Sequence, residues 1–318
     1  MKTTLGMNYR MLSSHLENIS SKMYRLREQS TTGKKVNKPS DDPGAIRPIL
    51  NYRTQIQTTG RYLNHIQMAK GEMELLDSNL DQVESIMVRA KELGISAING
   101  AANDEDIRTF ANQVNGLFKE MLQIANGQTN GKYVFSGYLD KTVPFAENTA
   151  YDSDDYHPAD SSTWPVEYNG DKHARTLEVA PEMRIQVGLT GNELFLGDAD
   201  NDQAVDSGSL NLFAVLKNFE DALVSNNTAE MNTGLEQLEQ GAEQVRRLRG
   251  QMGNNAQRIE RAEMQLNEAS IEFKEVLSSY EDADWLDVFS QLVQQETAFE
   301  AALNVTSRVS KLSILNFM

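Results

Sequence analysis

The sequence predicts a mainly α fold with a β-rich insertion, an α+β protein built as an elongated helical rod. Apolar residues recur at helical spacing near both chain ends, whereas a middle segment, residues 131–206, holds short runs in which polar and apolar residues alternate. Spacings of three and four are typical of amphipathic helices, and a period of two is typical of half-buried strands. We therefore expect two helical halves around one strand-containing insertion.

The first segment carries an apolar stripe whose spacing alternates between four and three, the pattern of a coiled-coil seam. The stripe consists of Leu5, Tyr9, Leu12, Leu16, Ile19, Met23 and Leu26. A single helix cannot bury such a stripe on itself, so this segment needs a helical partner.

The last segment carries a looser stripe of the same kind. Its members are Phe289, Leu292, Phe299, Ala302, Val305, Val309 and Leu312. The nearest partner for each chain end is the other end, and we expect both stripes to form an assembly interface, within the chain and with neighbouring subunits. Two ordinary core helices of a monomeric bundle are the alternative that the pattern leaves open.

The composition narrows the class of partner. The chain has 318 residues, of which 39% are hydrophobic and 7% aromatic, and its formal net charge is −16. Such an acidic chain repels phosphate backbones and anionic lipid, which argues against nucleic acid and membrane surfaces as partners. The absence of cysteine excludes disulfides and thiolate metal sites.

The sequence shows no membrane or targeting segment. Its first twenty residues lack the apolar core of a secretory signal. No run approaches the roughly 18 apolar residues of a bilayer-spanning helix. On these rules alone, the protein would be expected in the cytosol.

Glycine, proline and capping residues indicate where the first helices begin and end. Gly33 is a usual C′ residue and should end the first helix. Asp42 is a good N-cap, with Pro43 at the first helical position. Because a proline inside a helix lacks a donor and clashes with the preceding turn, Pro48 predicts a short turn at 43–47 followed by a new helix from about 48 to 98.

In the insertion, residues 175–179 and 183–187 alternate as strands do, and the segment 165–168 leads into a hairpin-type turn at 169–171. Beyond it, a long periodic stretch from about 228 to 281 indicates a coiled-coil helix. The expected domains are a terminal assembly helix (1–35), the first half of the rod (36–130), the β-rich outer domain (131–206), the second half of the rod (207–283) and the other assembly helix (284–318).

Residues able to support chemistry are scattered. Asp198, Asp200 and Asp202 resemble the opening of a calcium loop, but the glycine and the glutamate that such a loop needs are missing. Arg246 and Arg249, with a third arginine between them, should form surface ion pairs on a helix flanked by glutamates. We expect no catalytic, cofactor-binding or metal-binding residues, and a protein that is not an enzyme.

Four motifs carry a family resemblance. They are RLREQSTTGKKV at 25–36, KPSDDP at 38–43, GKYVFSG at 131–137 with Pro144 and Phe145, and GNELF at 191–195. In this order they resemble the bacterial flagellin-like family, and within it the hook-associated members that form the junction between hook and filament. The resemblance covers essentially the whole chain.

The resemblance implies a structural role in the bacterial flagellum. Such proteins are exported through the flagellar type III apparatus, so it implies an extracellular protein without a cleaved signal peptide. The implied partners are further copies in a junction layer, hook-associated protein 1, flagellin, and an export chaperone on the C-terminal helix. A minor flagellin and an intracellular coiled-coil adaptor are the alternatives.

Overall fold

The computed structural model describes the backbone of residues 5–99 and 104–315, with side chains described there except at 5, 6, 8, 99, 104 and 309–315. Its helices are α1 Leu5–Thr32, α2 Pro43–Asn99, α3 Asp104–Ala125, α4 Leu212–Val224, α5 Thr228–Glu281 and α6 Trp285–Leu315. The chain divides into two compact units, one of Met1–Gly60 with Asn267–Met318 and the other of Arg61–Leu266. Helices α2 and α5 contribute residues to both.

Helix α2 begins as predicted but does not break at Pro48. The Asp42 carboxylate accepts the amide hydrogens of Gly44 at 2.9 Å and Ala45 at 3.1 Å, which confirms the N-cap. The expected turn at 43–47 is wrong, because the helix continues through Pro48. Pro48 is only the sixth helical residue, so its missing donor costs a single hydrogen bond. Buried Ala45 and Ile49 pack with Val36 and hold this first part of the helix in place.

Three separate two-stranded antiparallel sheets lie between α3 and α4, and the first of them begins just before the expected boundary of the insertion at residue 131. Strands β1 Gln128–Thr129 and β2 Lys132–Tyr133 form one, β3 Phe145–Glu147 and β4 Val166–Tyr168 the second, and β5 Thr176–Ala180 and β6 Met183–Gln186 the third. Strands β5 and β6 confirm the predicted strands to within one residue. The predicted hairpin at 169–171 is wrong, because β4 pairs backwards with β3 rather than forwards with β5.

The missed hairpin lies at Asn130-Gly131, between β1 and β2. Both residues have positive φ, 53° and 74°, which is the backbone that a tight type I′ turn requires. The same residue pair is a standard hairpin signal. The sequence pattern does not reveal this hairpin, because each flanking strand is only two residues long, too short to show alternating polar and apolar residues.

The core of the second unit joins the helices to the insertion through aromatic rings. Phe135, Phe145 and Phe195 come from the insertion and meet Phe213 of α4, with ring centroids 5.2–5.5 Å apart between contacting pairs. Phe118 of α3 packs edge-on against Phe213 at 5.5 Å. Rings at these separations and tilts are favourable beyond the area that they bury. The insertion is therefore packed into the helical core.

A buried amide fixes the chain where the insertion returns to helix. The Gln244 side chain is 3% exposed. It accepts a hydrogen bond from the Leu210 amide at 2.8 Å and donates to the carbonyls of Leu210, at 3.1 Å, and Leu194, at 3.2 Å.

We expect Gln244→Leu to lower the free energy of unfolding by about 1–3 kcal/mol, because it leaves buried backbone groups without partners. Urea denaturation measures the change. Gln240→Leu, on the exposed side of the same helix, is the control and should change stability by less than about 0.5 kcal/mol; equal effects would contradict the role given to Gln244.

Candidate assembly interface

Helices α1 and α6 pack side by side in the first unit, and burial marks the seam between them. On α1, Met23 and Leu26 are buried, and the positions one to three turns before them are half-buried. On α6, the least exposed positions alternate in spacing between four and three: Val288, Leu292, Gln295, Phe299, Ala302 and Thr306. The spacing on both helices is that of a coiled-coil seam.

The structure distributes the predicted interface residues between this seam and the surface. Those within the seam are Leu12, Leu16, Ile19, Met23, Leu26, Leu292, Phe299 and Ala302. Tyr9, Phe289 and Val305 lie on the surface, about half exposed. The side chains of Leu5, Val309 and Leu312 fall outside the described residues. Sequence reading missed Val288, because Gln295 interrupts the apolar pattern that would have placed it in register.

One ion pair crosses the seam, and a second holds the following loop against α1. Arg27 of α1 donates to the Glu296 carboxylate of α6 at 3.2 Å. Lys38 of the loop donates to Glu28 of α1 at 3.0 Å and lies 5.8 Å from the centre of the Tyr24 ring. Such pairs near the surface contribute little energy.

The base of the seam is a clasp formed by the two connectors, residues 33–36 and 281–285. The Lys35 amide donates to the Glu281 carbonyl at 2.8 Å, and the Ala283 amide donates to the Gly33 carbonyl at 2.9 Å. Gly33 has a φ of +72°, and a Cβ there would lie 3.3 Å from the Trp285 ring. A residue with a side chain would strain the backbone at this position.

Glu281 is the charged centre of the clasp. Its side chain is 3% exposed and binds Lys34 together with the guanidinium of Arg53, whose Nη2 lies 2.6 Å and whose Nε lies 3.1 Å from the carboxylate oxygens. Burial opposes ionisation, but the hydrogen bonds from Arg53 and Lys34 outweigh it and hold the pKa of Glu281 below its usual value.

The motif KPSDDP forms the loop beside the clasp. The Asp41 carboxylate accepts the amide hydrogens of Lys38 at 2.8 Å and Asn37 at 3.0 Å. These two hydrogen bonds lower the pKa of Asp41, and the one from the Lys38 amide has the larger effect. Together with RLREQSTTGKKV, this motif therefore builds the base of the terminal helices, which is a structural role.

The remaining candidate residues form structural contacts. Arg249 donates to Asp77 at 2.6 Å and to Asp81 at 2.7 Å, and Arg246 pairs with Glu84 and Glu239, as the sequence predicted for this cluster.

The carboxylates of Asp198, Asp200 and Asp202 lie within 4.8 Å of one another. Asp198 accepts the amide hydrogens of Asp202 at 3.1 Å and Gln203 at 3.0 Å, which accounts for the turn of this loop without an ion.

In the part of the chain that the structure describes, no helix has a stretch long and apolar enough to cross a membrane.

Comparison with known proteins agrees with this architecture. Residues 4–140 match the bacterial flagellin N-terminal helical region, and residues 235–318 match the bacterial flagellin C-terminal helical region. The flagellar hook-associated protein 3 of Escherichia coli K12 is 26% identical over 99% of this chain and 98% of its own length. The protein of the same name from Salmonella typhimurium LT2 is 25% identical over the same shares. A crystal structure of the flagellar junction protein from Legionella pneumophila covers 75% of this chain and 100% of its own, with a TM-score of 0.58 and 16% identity.

The fold and the seam define a helical structural subunit whose first and last helices, α1 and α6, pack together and whose middle carries a strand-containing insertion. The two regional matches together span more than half of the chain. The chain belongs to the bacterial flagellin family. The resemblance to hook-associated members that the four motifs indicated is confirmed, and so is the predicted α+β fold.

Proposed function

We propose that the protein is a structural subunit of the bacterial flagellum that forms the junction layer between hook and filament. The observation that carries the proposal is the alignment with hook-associated protein 3 over essentially the full length of both chains. The paired terminal helices support it, because a seam of this kind can be extended by the ends of further copies. A structural rather than enzymatic role agrees with the names of these relatives.

The proposed partners follow from the position of such a layer. Further copies would lie beside the subunit, hook-associated protein 1 on one side and flagellin on the other. An export chaperone would cover α6 before assembly, and the protein would act outside the cell without a cleaved signal peptide. Mass spectrometry of the N-terminus of protein recovered from the culture medium tests the last point.

We also propose a role for each of the expected domains. Residues 1–35 and 284–318 would form the assembly helices, 36–130 and 207–283 the rod, and 131–206 an outer domain. The two predicted apolar stripes would act in assembly through both their seam residues and their exposed members. The surface positions of Tyr9, Phe289 and Val305 leave these side chains available to neighbours.

The test is a double charge in the seam, Leu12→Asp with Leu16→Asp. Two carboxylates in a half-buried apolar contact should cost several kcal/mol, roughly 3–6, of pairing free energy. In cells producing only this variant we expect intact hooks, flagellin shed into the medium and loss of swimming. The matched control, Ser13→Asp with Ser20→Asp, adds the same charge at exposed positions and should retain filaments. Normal filaments with the seam variant would contradict the role of the seam, and filaments made of this protein alone would favour a minor flagellin.

A further inference from the structure

The insertion carries an exposed apolar loop, residues 137–143, between β2 and β3. It presents Tyr138, Leu139 and Val143, which are 58%, 47% and 48% exposed. The Thr142 amide donates to the Leu139 carbonyl at 2.9 Å, so the loop turns back on itself and keeps these side chains on one short segment. An exposed apolar cluster on a folded chain marks an interaction site. We call this segment the Tyr138 loop.

The Tyr138 loop is held in place by Asp171. One oxygen of the Asp171 carboxylate accepts the amide hydrogens of Tyr138 and His173, each at 3.0 Å. The Tyr138 ring lies parallel to the His173 imidazole, with the ring centroids 5.6 Å apart. Gly137 has a φ of +68°, and a Cβ there would collide with Asp171, so this approach requires glycine. An aromatic side chain that is already fixed loses little entropy on binding, which makes Tyr138 suitable as an anchor.

The surroundings of the Tyr138 loop are basic although the whole chain is acidic. Residues 132–143 and 171–175 hold four Lys and Arg against two Asp, a net charge of +2. Two of the four basic residues are paired with carboxylates, and Lys141 and Lys172 are exposed beside the loop. The loop therefore fits a partner with negative charge around a site for an aromatic ring.

A groove elsewhere in the same unit has the complementary character. It lies between α4, the start of α5 and the 3₁₀ turn Ser153–Asp155. Buried Phe219 and Gly234 line its inner side, and half-buried Gln237 adds a side-chain amide. An aromatic ring next to a hydrogen-bonding group suits a tyrosine, whose body is apolar and whose tip is polar. We call this surface the α4–α5 groove.

The α4–α5 groove is strongly acidic. Asp154, Asp221 and Glu230 are exposed along it. Residues 151–155 and 217–234 together hold six Asp and Glu against one Lys, a net charge of −5. Two such grooves repel each other, whereas the basic surroundings of the Tyr138 loop attract one.

A single copy cannot bring the loop and the groove together. Both belong to the unit Arg61–Leu266. Glu72 of α2 lies 3.2 Å from Arg175 beside the loop, and Gly94 of the same helix packs against Phe219 at the groove. These two levels are 94 − 72 = 22 residues apart, which is about 33 Å along α2. The groove of one copy can therefore receive the loop of another copy only.

We propose that the Tyr138 loop of one copy binds in the α4–α5 groove of a second copy. Tyr138 would lie against Phe219 with its hydroxyl at the Gln237 amide, and Lys141 and Lys172 would meet the carboxylates of the groove. Because the two surfaces differ, the contact is heterologous, and each copy offers a loop to one neighbour and a groove to another. The contact joins the second units of neighbouring copies and is separate from the α1–α6 seam. The inference rests on the proposed junction function, which brings several copies together.

The test uses the absence of native cysteine, which leaves engineered cysteines without competitors. Leu139→Cys places a thiol on the Tyr138 loop, and Thr233→Cys places one at the α4–α5 groove. Hook–filament structures from cells that produce only the variant are treated with a short bismaleimide, which tolerates a few ångströms of uncertainty in register, and are analysed on denaturing gels. A chain with both substitutions should give a ladder of dimers, trimers and larger species, whereas each single variant should remain monomeric.

The matched control combines Leu139→Cys with Asn232→Cys. Asn232 is exposed and lies next to Thr233 in sequence, but helical geometry turns it away from the groove, so the yield of cross-linked species should be at least about fivefold lower. Circular dichroism of each purified variant confirms the fold. If Leu139→Cys prevents assembly, Lys141→Cys supplies the thiol on the loop.

Immunogold labelling separates this inference from the proposed function, because it reports assembly at the junction independently of any cross-link. Label at the junction together with monomers from the doubly substituted chain, or with dimers from either single variant, would overturn the inference and leave the function intact. Absence of label from the junction, even for the parent chain, would instead overturn the proposed function.

A charge exchange gives a second readout. Adding Asp154→Lys with Glu230→Lys to the doubly substituted chain should lower the yield of the ladder at least about fivefold, because it places like charges opposite the loop. Adding Lys141→Glu with Lys172→Glu as well should restore at least half of the loss.

Glu268→Lys with Glu272→Lys is the control for the charge exchange. It makes the same change of charge at exposed positions of α5 away from the groove and should leave the ladder unchanged. A ladder that the groove substitutions leave intact, or that the loop substitutions fail to restore, would overturn the docking of the loop in the groove.

Discussion

Replacing Phe219 with alanine should strongly destabilise the second unit, lowering the free energy of unfolding by about 3–5 kcal/mol. The ring is 1% exposed and lies between two glycines, Gly94 of α2 and Gly234 of α5. A Cβ on either glycine would come closer than 3.0 Å to the ring, a separation that real Cβ atoms do not show. The two glycines therefore make room for one aromatic side chain where α4 packs on the long helices.

The glycines provide the sharper test. Alanine normally favours a helix over glycine by about 1 kcal/mol. We nevertheless expect Gly94→Ala and Gly234→Ala to destabilise the unit by about 1–3 kcal/mol, because a packed ring cannot move away freely. The matched control is Gly116→Ala on α3, where nothing lies within 4 Å of the added methyl group, and there stability should rise.

Thermal or urea denaturation of the four single variants measures these effects, and a double variant isolates their cause. If the ring causes the damage, Gly234→Ala should cost clearly less in a Phe219→Leu chain than in the parent chain. Equal costs in both chains would show that the helix backbone, and not Phe219, requires the glycine.

The second large effect is expected at the clasp. Glu281→Gln keeps the shape of a buried side chain but removes the charge that Arg53 and Lys34 bind. Breaking a buried pair costs about 3–5 kcal/mol, and partial exposure of both basic partners reduces the expected loss here to about 1–3 kcal/mol. Hydrogen exchange of α1 and α6 amides reports the loss locally. Glu272→Gln, an exposed carboxylate on the same helix, is the control.

The same carboxylate gives the clasp a pH dependence with a defined sign. Because the pKa of Glu281 is lower in the folded state than in the unfolded chain, its contribution is fully present above the usual glutamate range and is lost as the pH falls through the folded pKa. We expect the protection of α1 and α6 to fall on acidification in the parent chain, and to fall less in Glu281→Gln. Parallel decline in both would assign the acid sensitivity to other groups.

Periodicity along the chain was sufficient to predict the two terminal helices and the two long helices α2 and α5, because a long amphipathic stripe is typical of a helix and of no other element. The position of α5 and the N-cap at Asp42 followed from residue patterns alone. Pro48 misled because a proline's cost depends on its distance from the helix start and on the packing of Ala45 and Ile49, which are tertiary facts. The pairing of β3 with β4 could not be predicted from the sequence either, because a long loop separates the two strands and no turn motif links them.

The seam between α1 and α6 within the chain was predicted in part for a related reason. A stripe on a helix indicates that a partner exists but does not say which helix provides it. Phe289 fits the apolar pattern as well as Val288 does, and only the packing of α1 on α6 separates the buried residue from the exposed one.

The clasp also bears on the order in which the chain folds. Its backbone hydrogen bonds join Gly33 to Ala283 and Lys35 to Glu281, so closing it brings together positions separated by roughly 250 residues. The second unit, in contrast, is one continuous stretch from Arg61 to Leu266. Contacts between distant positions form slowly unless the intervening chain is already compact. We therefore expect the continuous unit to fold first. Its folding brings the two segments that form the clasp closer together in space. The terminal helices, whose surfaces would contact the next copy, then pair last.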